Sequence, residues 1–447
     1  MTYQDVISSV DQRMSRTTAD LIELVAIPSV SADSFDQSTL VESAQWVAQR
    51  AQALGLDTQV VQLETASGKK GRPAILATRP AEPGKPTVVL YAHHDVQPVG
   101  DLELWDTDPF VATERDGRLY GRGTGDDKAG VVAHLAAIEA ARPGVGITLF
   151  IEGEEEVGSP TFVEFLQAYR EELNGDVIVV ADSNNWKVGT PSLTTSLRGV
   201  TQLSVTVSVL DHALHSGMYG GPVLDSVTLA ARLISTLHDE RGNVAVKGLL
   251  SKDETDVDYP EADFRRDAGL LDGVELAGEG SITSRMWTKP AIAVTAMDVT
   301  PVKLTSNTIS PSTTFVLSMR VTPGQDSGEA ANMLIEHLQA NAPFGAHVEC
   351  VINERGPAFA AGEPTEISTM MEWALEQAWG TPSVEIGVGG SIPFIADLAE
   401  AFPTAQILVT GIEDPDTRAH SANESLHLAD WRNAIVAEAL LLTRLGE

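Results

Sequence analysis

TVVLYAHHD (Thr87–Asp95) joins a short apolar run to two histidines and an aspartate. Three further runs of the same kind lie along the chain: ITLFI (Ile147–Ile151), VIVVA (Val177–Ala181) and QILVT (Gln406–Thr410). Short, continuous apolar runs are typical of strands that are buried on both faces of a parallel sheet. A helical pattern at Asp127–Ala141 separates the first two runs. We therefore predict an α/β fold, in which helices flank a mainly parallel sheet with right-handed crossovers.

The middle of the chain has a different pattern. Apolar and polar residues alternate in Val200–Val209 and Thr313–Val321, which indicates half-exposed strands of an antiparallel sheet. Helical patterns follow these strands, around Leu224–Leu237 and Gly328–Leu338. This order of elements predicts an inserted ferredoxin-like α+β domain. We place it at residues 191–357, between two parts of a catalytic domain at 1–190 and 358–447. The polar stretch 247–276 fits no element.

The charge of the chain limits its partners. Its 30 basic and 63 acidic residues give a net charge of −33. Such a surface repels phosphate backbones and anionic lipids, so we expect neither nucleic acid nor a membrane as a partner. Cys350 is the single cysteine, which excludes an intrachain disulfide and a cysteine-based zinc site. With a polar, acidic N-terminus that does not resemble a signal peptide, this favours a cytoplasmic protein.

Metal-ligand side chains follow each of the four apolar runs. Ligands bind at the carboxyl ends of the strands in open parallel sheets, so these side chains are expected at one rim. A glycine-rich loop before the helical stretch adds one more aspartate. The candidates are His93, Asp126, Glu155, Glu156, Asp182 and His420. Imidazole and carboxylate ligands without thiolate suit zinc, with manganese or cobalt as alternatives. Two divalent ions fit better than one, because the carboxylates of Asp126, Glu156 and Asp182 balance three of their four positive charges and one bridging hydroxide balances the fourth.

Each candidate also has a simpler interpretation. A lone histidine is more often structural than a metal ligand, and we expect this of His94. A run of glutamates is usually a solvated helix face, but Gly153 and Gly158 bracket Glu154–Glu156 directly after an apolar run. An Asp-Asp pair is often a helix N-cap, which is a possible role for Asp127. The joint placement of the candidates at strand ends favours the functional interpretation.

Seven motifs in order resemble the carnosinase-like dipeptidase branch of the dinuclear zinc peptidases. That family also includes aminoacylase, carboxypeptidase G and succinyl-diaminopimelate desuccinylase. The resemblance covers about Leu21 to Leu441, nearly the whole chain. The motifs are YAHHDVQP, LYGRGTGDDKAG, EGEEEVGS, VVADSNNW, ALHSGMYGG, GGSIPF and RAHSANE.

The resemblance implies a role for most of the rim residues. It implies five ligands of a metal pair: His93, Asp126, Glu156, Asp182 and His420. Asp126 matches the bridging ligand, and the Asp126–Asp127 peptide is expected to be cis. Asp95 matches a carboxylate that orients His93, and Glu155 matches the general base of hydrolysis.

The inserted domain is implied to contribute substrate contacts. His215 matches a residue that stabilises the tetrahedral oxyanion from a partner subunit, so a homodimer through this domain is expected, with the domain also acting as a lid. Five residues match those that contact the carboxylate end of the substrate in the family: Arg320, Thr308, Gly389, Gly390 and Ser391. TSNTISP stands where these dipeptidases more often have KTVIP, so Asn307 is an alternative to Thr308. Strand alternation places Arg320 on the face opposite the apolar side chains.

The implied reaction is hydrolysis of dipeptides or other short peptides by direct attack of water, with Glu155 as the base. The nearest alternative is a deacylase of the same fold that acts on N-acyl amino acids. Asp182 favours the dipeptidase, because peptidase branches tend to have Asp at this position and acylases Glu. A catalytically inactive binding relative would lack a ligand or the base, and this chain has all of them.

Overall fold

The computed structural model describes residues 2–141, 144–253, 255, 257–390 and 393–447, which form two compact units. The first unit consists of Met1–Thr195, Ala361–Ile386 and Asp397–Glu447. The second consists of Ser196–Ala360 and Gly387–Ala396, so its longer segment interrupts the first unit in sequence.

Helices and strands alternate through most of the described chain. The helices are α1 (Tyr3–Val25), α2 (Ser38–Ala53), α3 (Lys128–Ala141), α4 (Phe162–Ala168), α5 (Ser216–Tyr219), α6 (Ser226–Ile234), α7 (Glu261–Asp267), α8 (Ile282–Trp287), α9 (Ser327–Ala340), α10 (Glu366–Trp379), α11 (Pro393–Ala401) and α12 (Leu428–Leu445).

The strands up to the middle of the chain are β1 (Asp57–Val61), β2 (Ala74–Arg79), β3 (Thr87–His93), β4 (Thr113–Arg115), β5 (Arg118–Tyr120), β6 (Gly146–Glu152), β7 (Val177–Asn184), β8 (Ser192–Leu197), β9 (Gly199–Ser208) and β10 (Leu214–His215). The remaining strands are β11 (Ala291–Met297), β12 (Thr308–Ile309), β13 (Ser312–Val321), β14 (His347–Gly356), β15 (Phe359–Ala360), β16 (Val384–Val388), β17 (Gln406–Glu413) and β18 (Ser425–His427).

The first unit is built on a mainly parallel sheet, as the apolar runs predict. Its strand order is β1-β2-β6-β3-β7-β17-β8, and the four strands from β6 to β17 are parallel. These four strands are the four predicted runs. β1, β2 and β8 pair antiparallel at the two sides of this group. The predicted α/β fold class is therefore confirmed, and the four parallel strands end at a common rim.

Helices α1, α3 and α12 pack against one another beside this sheet. α3 is rich in alanine and buried almost all round, which suits a helix between other helices and a sheet. Polar groups in this interior are paired. His134 on α3 lies 2.8 Å from Glu438 on α12, and Lys128 Nζ donates to the carbonyls of Leu24 and Ile27 at 3.0 and 2.6 Å. These contacts attach the start of α3, which follows Asp126 and Asp127, to the end of α1.

The second unit contains a four-stranded antiparallel sheet in the order β11-β13-β9-β14. In sequence the elements run β9, α6, β11, β13, α9, β14, which is the predicted ferredoxin-like α+β arrangement. Leu203, Val205, Phe315 and Leu317 are fully buried on one face with side chains of α6 and α9. β14 is an edge strand, and Val351 and Ile352 on it are exposed.

Two further observations concern the whole described chain. The stretch 247–276, which fitted no element in the sequence, contains the short helix α7. None of the described helices has the length and apolar character that crossing a bilayer requires.

Candidate active site

The rim of the parallel sheet in the first unit collects the predicted ligands. His93 is the last residue of β3, and Asp182 lies near the end of β7. Glu155 and Glu156 form a single 3-10 turn after β6, and His420 follows β17 in a left-handed backbone conformation, with φ of 64°. The sequence placed these residues at strand ends, and the structure brings their side chains together.

Asp126 lies between two imidazoles. Its Oδ1 is 3.0 Å from Nε2 of His93, and its Oδ2 is 2.9 Å from Nε2 of His420. Donor atoms of His93, Asp126 and Asp182 lie within 4.8 Å of one another, and so do those of Asp126, Glu156 and His420. The rim therefore has two groups of three metal-ligand side chains that share one carboxylate.

The donor atoms suit divalent metal ions. Nε2 of His93 is buried and has no hydrogen-bond partner of acceptable geometry in the described chain, although it faces the Asp126 carboxylate. On its other side, Nδ1 of His93 lies 3.1 Å from the backbone carbonyl of Asp95. A proton on Nδ1 leaves the lone pair of Nε2 directed at the acidic cluster, which is the tautomer that a metal-binding imidazole needs.

Asp95 organises both sides of the site. Its carboxylate is buried and lies 3.5 Å from Nδ1 of His93. The same carboxylate accepts hydrogen bonds from the backbone N–H groups of Glu155 and Glu156, at 3.2 and 3.1 Å. One side chain thus holds the ring of His93 and the turn that carries both glutamates.

The two adjacent glutamates have different surroundings. Glu156 accepts hydrogen bonds from the backbone and side-chain amides of Gln97, at 3.1 and 2.8 Å, and lies 3.2 Å from Nε2 of His420. Glu155 belongs to neither group of ligand atoms, and its Oε2 is 4.0 Å from Nε2 of His93. Burial, together with the nearby carboxylates, raises the pKa of Glu155 well above its ordinary value. A carboxyl group that lies beside the ligand groups and is not itself a ligand suits proton transfer.

The pKa values of the clustered ligand side chains indicate that protons occupy positions that a metal ion can take. Burial alone would raise the pKa of Asp126, but contacts with His420 and His93 lower it. The carboxylates of Asp126 and Glu156 raise the pKa of His420 to about 11. Burial raises the pKa of Asp182 to about 7. Imidazoles held as cations by carboxylates become ligands once a metal ion displaces their protons.

Glu424 is a buried residue of the site that the sequence reasoning missed. Its Oε1 accepts the backbone N–H groups of Gly123, Gly125 and Asp126 at 2.9, 3.0 and 3.2 Å. Its Oε2 pairs with Arg122 at 2.6 Å. Glu424 therefore fixes the glycine-rich loop that carries Asp126. Its position in the motif RAHSANE, four residues after His420, was the available signal.

His94 and Asp127 are sequence neighbours of the ligands and make structural contacts. His94 is buried, with Nδ1 3.1 Å from the Ser43 hydroxyl and Nε2 2.8 Å from the Pro73 carbonyl. Burial lowers the pKa of His94 to about 4, so it is a neutral core residue. The peptide between Asp126 and Asp127 is cis, as the resemblance implies, and Asp127 Oδ2 accepts the backbone N–H of His93 at 3.2 Å.

The predicted substrate contacts lie in the second unit. His215 is exposed and pairs with Thr308 across β10 and β12, and the Asn307 carbonyl accepts the Ser216 N–H at 2.9 Å. Arg320 lies on β13 opposite Val200. Ser391, the last residue of the predicted Gly389–Gly390–Ser391 loop, lies outside the described residues.

Arg198 is a second residue that the sequence reasoning missed. Its guanidinium is almost buried and donates to the carbonyls of Gly389, Lys289 and Arg285, at 3.1, 3.2 and 3.4 Å. Burial, followed by the positive charge of Arg320, lowers the pKa of Arg198 to about 10. The carbonyl of Gly389, a predicted substrate contact, therefore accepts a hydrogen bond from a buried cation.

Comparison with known proteins shows the family of the chain. Residues 89–444 match the peptidase family M20/M25/M40. The chain is 32% identical over 442 residues to the cysteinylglycine-S-conjugate dipeptidase of Corynebacterium striatum, with 97% of this chain and 96% of the relative covered. It is 26% identical over 461 residues to the Cys-Gly metallodipeptidase of Schizosaccharomyces pombe, with 97% and 96% covered.

Among solved structures, human carnosine dipeptidase 1 has a TM-score of 0.84 to this chain at 24% identity, with 100% of this chain and 99% of that chain covered. This likeness shows the fold. The family match spans most of the chain, and the resemblance inferred from the seven motifs is confirmed. The chain belongs to the peptidase family M20/M25/M40.

Proposed function

We propose that this chain is a metal-dependent dipeptidase, which hydrolyses the peptide bond of dipeptides or other short peptides. The observation that carries the proposal is the shared carboxylate of Asp126, which joins two groups of metal-ligand side chains beside Glu155. Family membership supports hydrolysis of peptides, and the similar proteins of C. striatum and S. pombe are dipeptidases by name.

Two divalent ions would be held by these residues. His93, Asp126 and Asp182 would hold one, and Asp126, Glu156 and His420 the other. We propose zinc, with manganese or cobalt as alternatives, because the donors are nitrogen and oxygen only. When bound, such a pair of ions polarises the scissile carbonyl and lowers the pKa of a water molecule.

Glu155 acts as the general base. It accepts a proton from the attacking water and later donates it to the leaving amine, so no covalent enzyme intermediate forms. Its carboxylate lies beside the two ligand groups without belonging to either, which suits a group that accepts and later releases a proton. Asp95 is a positioning residue, because its carboxylate holds the backbone of Glu155 and the ring of His93.

Residues of the second unit bind the substrate in this proposal. Arg320 holds the carboxylate of the dipeptide through two parallel hydrogen bonds, which fix its direction as well as its charge. Gly389, Gly390 and Ser391 add donors, together with Thr308 or Asn307. Nδ1 of His215 accepts the Gly217 N–H at 3.1 Å, so the neutral ring has its proton on Nε2. An exposed N–H of this kind can stabilise a tetrahedral oxyanion.

The chain acts as a homodimer through the second unit, with His215 serving the site of the partner subunit. The exposed edge strand β14 supports this part of the proposal, because such edges pair readily across a two-fold axis. The second unit also closes over the substrate as a lid.

We propose a cytoplasmic location, supported by the single cysteine, Cys350.

A panel of substrates tests the proposal. Purified chain reconstituted with zinc or manganese is assayed on free dipeptides and on N-acyl amino acids under the same conditions. Hydrolysis of the dipeptides with little action on the N-acyl amino acids is expected. The opposite preference would establish a deacylase, and no hydrolysis of either class by metal-loaded protein would contradict an enzyme of this kind.

A further inference from the structure

Glu413 is a buried carboxylate to which the proposed reaction gives no role. It is the last residue of β17, and 7% of its surface is exposed. Among the described residues, its carboxylate forms no hydrogen bond and no ion pair. Burying an unpaired carboxylate costs free energy unless a ligand supplies a hydrogen-bond or ion-pair partner.

The position of Glu413 places it at the catalytic rim. In the parallel pairing of β17 with β7, Glu413 lies opposite Asn184, two residues beyond Asp182. Its Cγ is 3.8 Å from the point that a Cβ on Gly125 would occupy, directly before Asp126. After burial, the carboxylates of Asp126 and Asp182 are the main causes that raise the pKa of Glu413. Glu413 nevertheless belongs to neither group of ligand atoms.

The proposed reaction uses four carboxylates at the rim: the three ligands Asp126, Glu156 and Asp182, and the base Glu155. The carboxyl group of Glu413 belongs to neither the ligand groups nor the base. A free dipeptide has a positive ammonium group at the end nearer the scissile carbonyl, whereas an N-acylated substrate has none.

We propose that Glu413 is the residue that selects the free N-terminal ammonium group of the substrate. The proposal rests on the proposed function and names the feature that makes the site prefer dipeptides with a free amine over N-acylated compounds. A charge-assisted hydrogen bond from the ammonium completes the partnerless carboxylate and holds the first residue of the substrate beside the rim.

Binding measurements test this without turnover. Metal-loaded Glu155→Gln protein is titrated with alanyl-alanine and with N-acetyl-alanyl-alanine by calorimetry. We expect the free dipeptide to bind more tightly than the acetylated peptide by a factor of about 30 or more, the usual scale for a buried charge partner. Adding Glu413→Gln should remove this preference and leave the affinity for the acetylated peptide unchanged. Glu438→Gln, which alters a buried carboxylate paired with His134, is the matched control and should keep the preference.

Several results would overturn the inference. Equal affinity for the two peptides while Glu413 is intact would do so, and this comparison needs no Glu413 variant to fold. Retention of the preference in Glu413→Gln, or equal weakening of both peptides, would also do so. Failure of the proposed function itself looks different, because wild-type protein loaded with metal would then hydrolyse no dipeptide.

Discussion

Oε1 of Glu424 accepts the backbone N–H of Asp126 at 3.2 Å, so a carboxylate outside the ligand set positions the residue shared by the two ligand groups. The same oxygen accepts the N–H groups of Gly123 and Gly125, and Arg122 balances its charge. Three backbone donors that converge on one oxygen restrict the loop more tightly than a single contact would.

Glu424→Gln should weaken metal binding about 10- to 100-fold, the usual range for a residue that orients a ligand from outside the coordination sphere. The amide keeps the volume but loses the charge that pairs with Arg122. Calorimetric titration of metal-free protein with zinc measures the effect.

Glu438→Gln is the matched control, since Glu438 is also buried and paired with a base, His134, away from the ligands. It should lower the free energy of unfolding without a comparable loss of metal affinity. If both variants bound zinc as tightly as the wild type, Glu424 would have no positioning role.

Metal binding should release protons and should strengthen as pH rises from about 6 to 8. The pKa of His420 is raised from 6.5 to about 11 by Asp126 and Glu156, so metal-free protein holds this proton throughout the range. The stabilisation that the raised pKa of His420 gives the folded chain is fully present below the pKa of the unfolded chain. It is lost as pH rises through the pKa of the folded chain. Calorimetry at pH 7.5 in buffers of different ionisation enthalpy counts the protons, and His420→Asn should reduce the count. Heats that did not depend on the buffer would contradict the expectation.

Arg320→Lys should impair hydrolysis of a dipeptide nearly as much as Arg320→Ala, because lysine keeps the charge but loses the planar fork. We expect about 2–5 kcal/mol of lost transition-state stabilisation in kcat/KM. Wild-type enzyme should also discriminate against the C-terminal amide of the same dipeptide. Arg241→Ala, at an exposed pair with Glu279, is the control and should change neither value. Equal cleavage of acid and amide would exclude the carboxylate clamp.

His215→Ala and Glu155→Gln chains, each inactive alone, should regain part of the activity when mixed and allowed to exchange subunits. A mixed dimer has one site with both an intact base and an intact partner histidine. Each variant incubated alone is the control. Absence of rescue, once mass measurements show that mixed dimers form, would contradict the action of His215 in the partner's site.

The parts of the fold that depend on local pattern were predictable from the sequence. The apolar run before His93 and the three similar runs predicted the parallel strands, because burial on both faces removes polar residues from them. The alternation around Arg320 likewise predicted β13 of the second sheet. Strand ends converge by topology, so the ligands could be grouped before their distances were known.

The residues that the sequence reasoning missed act through backbone groups. Glu424 binds three N–H groups that only the folded glycine-rich loop directs to one point. Arg198 donates to three carbonyls from two separate places in the chain. Residue type does not encode such contacts, because any backbone can supply the donors and acceptors. The lack of a partner for Glu413 is also visible only in three dimensions.

The most direct measurement is the dipeptidase activity of metal-free protein as zinc or manganese is added, in wild type and in Glu155→Gln. Wild-type activity should be absent without metal and should reach its maximum at two ions per chain. Glu155→Gln should bind the same two ions and lose about 10²- to 10⁴-fold in rate, the scale of a positioned acid–base group. Dipeptide hydrolysis by the metal-free chain, or normal turnover by metal-loaded Glu155→Gln, would contradict the account.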